Sequence, residues 1–259
     1  MKMPVFSIYL AGFRFLAILW VLLLATPILT AETEAGQNDS HLKSAKKVLV
    51  LDPGHGGRDL GAGKPNDIYE KEVALIFAGF LAEKLKPAYT VHLTRSDDYE
   101  VDLMHRPAVA NHLEADLFLS IHTGASTLHN PNGMLIAYYD GRFRQQHPDT
   151  KFTQDAPQKE NQLAPWNNNT LDHQENCRHL AKLLKEKILE YDPEIKVDIQ
   201  GMPIVVLEGA TQPALFMEIG YLTNPADRAK LKDPNIMADY ADIISASLKV
   251  YFSKQPSQR

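Results

Sequence analysis

The chain has 259 residues, 44% of them hydrophobic and 23% charged, with a formal charge of −5 and a single cysteine. That is the composition of an ordinary globular protein, with enough length for one sizeable core and short ends. With no dense run of lysine or arginine, nucleic acid is excluded as an expected partner, and with one cysteine no internal disulfide staples the fold.

Residues 1–31 read as a signal peptide. Lys2 and Arg14 precede an apolar run at 15–25, Thr26 and Pro27 break it, and Ala31 is the candidate cleavage position. The run is shorter than the roughly 20 residues of a spanning helix, although the apolar stretch ahead of Arg14 leaves an uncleaved anchor open. The expectation is export to the periplasm or the cell exterior, with membrane contact only through the leader. Removing Lys2 and Arg14 takes the formal charge from −5 to −7. Residues 32–46 are short and polar and read as a tether.

The folded domain is expected over 47–253. It opens on Val48-Leu49-Val50-Leu51, a continuous apolar run ending at Asp52-Pro53-Gly54, as a strand buried on both faces should. Residues 70–85 carry Val73, Phe77, Phe80 or Leu81, and Leu85 at a helical period, and Pro87 stops that helix. Further strands read at 89–95, 117–122, 134–139, 204–207 and 214–219. Helices read at 103–112, at 175–191, where Asp172 and Glu175 are spaced as a capping box, and at 236–252. Such alternation predicts an α/β fold, an open sheet with helices on both faces. Residues 141–171 are polar and aperiodic, read as a lid, a regulatory insert, a disordered segment or a surface excursion without a role. Cys177, at helical spacing with Leu180, Leu184 and Ile188, reads as a small core residue.

Ligands of open α/β sheets bind at the carboxyl ends of the strands. His55 lies just past the first strand, His122 closes the strand at 117–122, Glu218 stands near the end of 214–219, and Glu70 opens the helix after the His55 loop. Two imidazoles and a carboxylate make a common catalytic zinc sphere, and a second carboxylate is then needed to take a proton from water. His55, Glu70 and His122 suit the ligand set and Glu218 the base, with Glu208 a rival for the latter role. Gly54, Gly56 and Gly57 are read as the turn that aims His55 over the strand ends. Glu218 is conspicuous by itself, because a carboxylate within Leu215-Phe216-Met217-Glu218-Ile219 is costly to bury without a partner.

These residues carry a resemblance. The run from Leu51 through His55 to Ala62 resembles the opening signature of the zinc-dependent N-acetylmuramoyl-L-alanine amidases. Glu70-Lys71-Glu72, Thr94-Arg95, the stretch at 103–106, Ala110-Asn111, Ser120-Ile121-His122 and the run from Glu218 to Asn224 resemble later family segments in order. The resemblance spans about 48–252. It implies a mixed sheet of about six strands and one zinc held by His55, Glu70 and His122. It further implies Glu218 as the catalytic glutamate, and hydrolysis of the amide between N-acetylmuramic acid and L-alanine in peptidoglycan.

Two residues depart from the pattern. Gly124 stands where the family usually has Asn or Asp, and Leu60 replaces a usual proline, a change expected to be harmless. No recognisable wall-binding module accompanies the domain, so targeting would fall to its surface or to a partner. In some relatives a segment placed like 141–171 blocks the zinc until a protein activator arrives. Two other readings stay open: a different zinc amidohydrolase or peptidase acting on wall peptides, and a catalytically weak peptidoglycan-binding regulator, which Gly124 supports.

Overall fold

The apolar run behind Lys47 forms β1 (Val48–Pro53), and every residue of it after Val48 is buried. A strand with neighbours on both edges and packed layers on both faces has no solvent side, which is why this run lacks polar alternation. The computed structural model describes residues 46–63, 67–126, 130–141 and 173–255. The expected leader, the tether up to residue 45 and the insert beyond Gly141 lie outside the described residues.

The elements that follow are α1 (Glu70–Leu85), β2 (Thr90–Leu93), α2 (His105–His112), β3 (Leu117–Gly124), β4 (Met134–Tyr139), α3 (Gln174–Tyr191), β5 (Val197–Met202), a 3-10 turn (Val205–Leu207), β6 (Ala214–Tyr221), α4 (Pro225–Lys232) and α5 (Pro234–Ser253). The strands make one sheet in the order β2-β1-β3-β6-β4-β5, parallel except where β4 runs against β6. This is the mixed, six-stranded α/β sheet expected from the sequence. No helix among the described residues is long and apolar enough to cross a membrane.

Strand alternation divides the core in two. Leu49, Leu51, Leu117, Leu119, Ile121, Leu215 and Met217 belong to the larger cluster, with Phe77 and Leu81 of α1, Leu180 and Leu184 of α3, and Ile244 and Leu248 of α5. Val50, Phe118 and Ala214 fall on the other face with Ala110 of α2 and with Val206 and Leu207 of the 3-10 turn. Fully burying one Leu or Phe contributes about 1.5–3 kcal/mol, so the three-helix layer carries most of the hydrophobic stabilisation. The thinner layer leaves the strand ends beside it open to solvent.

Helix α1 buries Glu70, Val73, Ala74, Phe77, Ala78, Leu81 and Leu85, one continuous stripe. Its start is held by the Tyr69 N–H, which donates to Glu72 Oε2 at 3.0 Å. The stripe begins at Glu70 and so turns a carboxylate inward at the helix's first residue.

Several elements differ from the sequence reading. The expected strand at 204–207 is the 3-10 turn: Leu207 N–H donates to Ile204 O at 3.1 Å and Glu208 N–H to Val205 O at 2.9 Å. Pro203 cannot donate to a ladder, so the chain coils as it leaves β5 and buries its apolar residues against the thinner layer. The sixth strand is instead β5, a half-exposed edge strand whose alternating Val197 and Ile199 give a weak signal. Helix α4 was not read, although Asn224 Oδ1 caps it by accepting from Ala226 N–H at 3.0 Å with Pro225 behind it. Helix α5 begins two residues before the expected 236, where Asp233 Oδ1 accepts from Asn235 N–H at 2.8 Å. Helix α2 begins at His105, not at 103. His173 precedes α3 with no side-chain cap bond, and Asp172 of the expected capping box lies outside the described residues.

Candidate metal centre

The parallel strands β1, β3 and β6 end side by side at their carboxyl ends. In the β3–β6 ladder His122 pairs with Glu218, and in the β1–β3 ladder Asp52 pairs with Ser120, all on the face of the smaller core.

The loop leaving β1 carries His55 in a left-handed conformation, φ 60°. A non-glycine residue there is strained and persists only where its surroundings fix it. Two buried guanidinium groups do so. Arg95 Nε donates to Pro53 O at 2.9 Å, and its Nη2 donates to Gly54 O and Lys71 O, each at 2.7 Å. Arg106 donates to Asp52 Oδ1, Pro53 O and His55 O, each at 2.9 Å. Asp52 is fully buried and also accepts from Thr94 Oγ1 at 2.5 Å and Ser120 Oγ at 2.7 Å, so its charge is matched by hydrogen bonds on both oxygens.

Gly56 and Gly57, with φ 128° and 61°, make the turn as expected. Gly54 does something else: a Cβ there would stand 2.2 Å from His122 Cε1, so glycine lets the imidazole lie against the backbone. The other side of that ring stacks on Phe216 with centroids 4.5 Å apart.

Glu70 joins the two imidazoles. His122 Nδ1 is 2.9 Å from Glu70 Oε1, and His55 Nε2 is 3.1 Å from Glu70 Oε2. The remaining lone pairs accept from Thr123 N–H at 3.0 Å and Ala62 N–H at 2.8 Å. Burial alone would push the Glu70 carboxyl up, but the bonds to His122 and His55 hold it far below the usual carboxylate range. Burial likewise pushes the His55 imidazole down, and its bonds to Glu70 and Asp59 outweigh that and raise it. His55 Nδ1 lies 2.7 Å from Asp59 Oδ2. With that nitrogen donating to Asp59, Nε2 is the one left to face Glu70 and a metal.

Donor atoms on a tetrahedral zinc, each about 2.0–2.2 Å from the metal, stand about 3.4 Å from one another. His55, Glu70 and His122 hold one ligand atom each within 4.8 Å of the others, and among the described residues no other such group of His, Cys, Asp or Glu occurs. The triplet could therefore hold a metal, and its nitrogen and oxygen donors suit zinc. Glu218 lies outside the triplet but within electrostatic reach of Glu70 and His122. Burial raises its carboxyl, the Tyr221 side chain opposes that, and Glu70 adds to the rise. Glu208 sits in the turn after Val205–Leu207, not at a strand end. Beside His122 opens an apolar cavity of about 350 Å³ lined by Leu103, Pro203, Ile204, Val206 and Phe216.

All four residues singled out in the sequence thus meet at the carboxyl ends of the central strands. Asp59, Arg95 and Arg106 were given no role there, though Asp59 at four residues from His55 was a readable partner. Leu60 is exposed, as suits a harmless replacement.

The sequence profile of the N-acetylmuramoyl-L-alanine amidases matches residues 49–250. The chain belongs to this family. It is 32% identical over 211 residues to a probable cell wall amidase, LytH, of Staphylococcus aureus; the match covers 80% of this chain and 59% of that relative. The chain thus spans about three-fifths of the length of the curated relatives it matches. Among solved structures, an N-acetylmuramoyl-L-alanine amidase from Clostridium difficile 630 superposes with a TM-score of 0.65 at 25% identity, covering 82% of this chain and 100% of that one. The catalytic domain of the amidase CwlV from Bacillus (Paenibacillus) polymyxa var. colistinus does so with a TM-score of 0.62 at 27% identity, covering 81% and 99%. The amidase fold therefore accounts for the whole described domain, from β1 to α5.

Proposed function

We propose that the chain is an exported, zinc-dependent amidase of peptidoglycan, cutting between the lactyl carbonyl of N-acetylmuramic acid and the amine of L-alanine. In this reading His55, Glu70 and His122 hold one zinc and Glu218 is the catalytic base. The observation that carries it is the triplet of ligand atoms within 4.8 Å, set beside a second, half-buried carboxylate on the neighbouring strand.

When bound, the zinc supplies Lewis-acid chemistry, acidifying water and polarising an amide carbonyl. The chain's own residues do the rest. The backbone N–H groups of Thr123 and Ala62 each donate to one Glu70 oxygen, which favours the carboxylate that would hold the zinc. Asp59 keeps His55 in the tautomer that leaves Nε2 free. Glu218 takes a proton from the attacking water and returns it to the nitrogen as the C–N bond breaks, leaving a carboxylate on the lactyl group and a free amine on L-alanine. Burial suits that task, since a carboxyl with a raised pKa takes up a proton more readily than an exposed one. The apolar cavity beside His122 gives the carbon skeleton of the substrate a dry wall.

Digestion of purified wall by the zinc-loaded protein tests this. New free L-alanine amines beside intact glycan are expected, whereas new ends within the peptide would make it a peptidase. The insert at 141–171, together with a protein activator that displaces it, belongs to the same proposal. Deleting residues 142–171 should raise wall digestion, and unchanged activity would end that part.

A further inference from the structure

In a regular strand residues three apart point to opposite faces, yet Tyr221 reaches Glu218. Two irregularities allow this. The β3–β6 register shifts between His122 and Gly124, and Gly220 takes φ 146°. The backbone then fixes Tyr221, whose N–H donates to Asp227 Oδ2 at 3.0 Å, while the next N–H, of Leu222, donates to Gly124 O at 2.9 Å. The edge of the ring lies against Gly124: a Cβ at that position would stand 2.2 Å from Tyr221 Cε1, 2.3 Å from its Cδ1 and 2.8 Å from Glu218 Oε2. No real Cβ tolerates the first two distances. The Tyr221 ring and Glu218 Oε2 thus border the same point beside Gly124, and the two side chains interact there.

We propose that Tyr221 is a positioning residue for Glu218, and that Gly124 is the vacated space that lets its ring do so. Glycine at 124 is then no sign of a weakened site. The ring fills the room that a side chain there would need, and the phenol aims the carboxylate from that place. This rests on the amidase reading for its catalytic part. The steric part, the exclusion of any side chain at 124 by the Tyr221 ring, stands on the geometry alone.

The test uses the zinc-loaded full chain with Tyr221→Phe, Tyr221→Ala, Gly124→Ala and the Gly124→Ala/Tyr221→Ala double variant, reading thermal midpoint, zinc content, kcat and KM on muramoyl-peptide fragments. Tyr221→Phe keeps the ring, so its midpoint and one zinc per chain should be those of the wild type. Losing the hydroxyl beside that carboxylate should lower kcat about tenfold or more with KM little changed. Gly124→Ala should lower the midpoint when Tyr221 is present and not when it is Ala. A Tyr221→Phe enzyme with wild-type kcat overturns the positioning role. A Gly124→Ala penalty that persists without the ring overturns the steric one. A wild type that carries zinc but releases no L-alanine amine overturns the amidase reading and the positioning role with it, leaving the steric part to be judged by the midpoints.

Discussion

Arg106 donates to the carbonyl oxygen of His55 at 2.9 Å, and so a buried guanidinium holds a strained, left-handed residue in place from behind. Its other nitrogen is tied to Asp52, itself fully buried, which makes the metal loop and the sheet interior one hydrogen-bonded unit. Arg106→Met should cost about 3–5 kcal/mol, because it leaves the Asp52 charge buried with only two hydroxyl partners. Zinc should also be held less tightly. Arg106→Lys should recover little of either, since an ammonium lacks the planar fork that reaches several carbonyls at once. Urea denaturation and metal titration check this, and a Met variant as stable as the wild type would remove the clamp from the account.

Glu218→Gln keeps shape and volume but cannot take a proton. Turnover on wall fragments should fall about 10²- to 10⁴-fold, the range general base catalysis contributes. One zinc per chain and the wild-type thermal midpoint should remain. An active Gln variant would reassign the base.

Elemental analysis should find one zinc per chain in the wild type and none in His122→Ala, with wall digestion lost alongside it. Chelation of the wild type should do the same reversibly, and returning zinc at a thousandfold excess over its dissociation constant should add about 4 kcal/mol of stability. A folded, metal-free wild type that still binds wall fragments would favour a non-catalytic regulator.

Cys177 is buried in α3, and burial pushes its thiol up to about 11. At pH 8 the reactive thiolate is therefore scarce as well as shielded. A thiol reagent should label the native protein only as fast as it unfolds, and quickly in denaturant. Rapid labelling of the native state would mean that α3 opens locally.

Most of the fold is legible because its strands are apolar runs closed by punctuation: Asp-Pro-Gly at the end of β1, a histidine ending the run in β3, a glutamate interrupting the one in β6. The run at 204–207 shared the apolar signal without the ladder, and nothing local to four apolar residues separates a strand from a buried turn. The four site residues were visible because each is a metal-competent or titratable group at a strand or helix end. Arg95 and Arg106 were not, since what makes a guanidinium structural is the set of carbonyls that surround it. Apart from those of Asp97 and Val101, they come from residues 24 to 53 positions away in the chain. Tyr221 was hidden for a different reason: alternation would send it to the face opposite Glu218, and only the glycine before it and the register shift in β3–β6 bring it round.

Strands β3 and β6 are the two middle strands of the six, each flanked on both sides. His122 and Glu218 therefore sit in the ladder furthest from either edge, where amide protons exchange only when the whole sheet comes apart. Fraying at β2 or β5 would leave that pair untouched. Heating should accordingly show no dim, half-competent form of the protein: the molecules that remain folded keep their chemistry, and the rest lose it together.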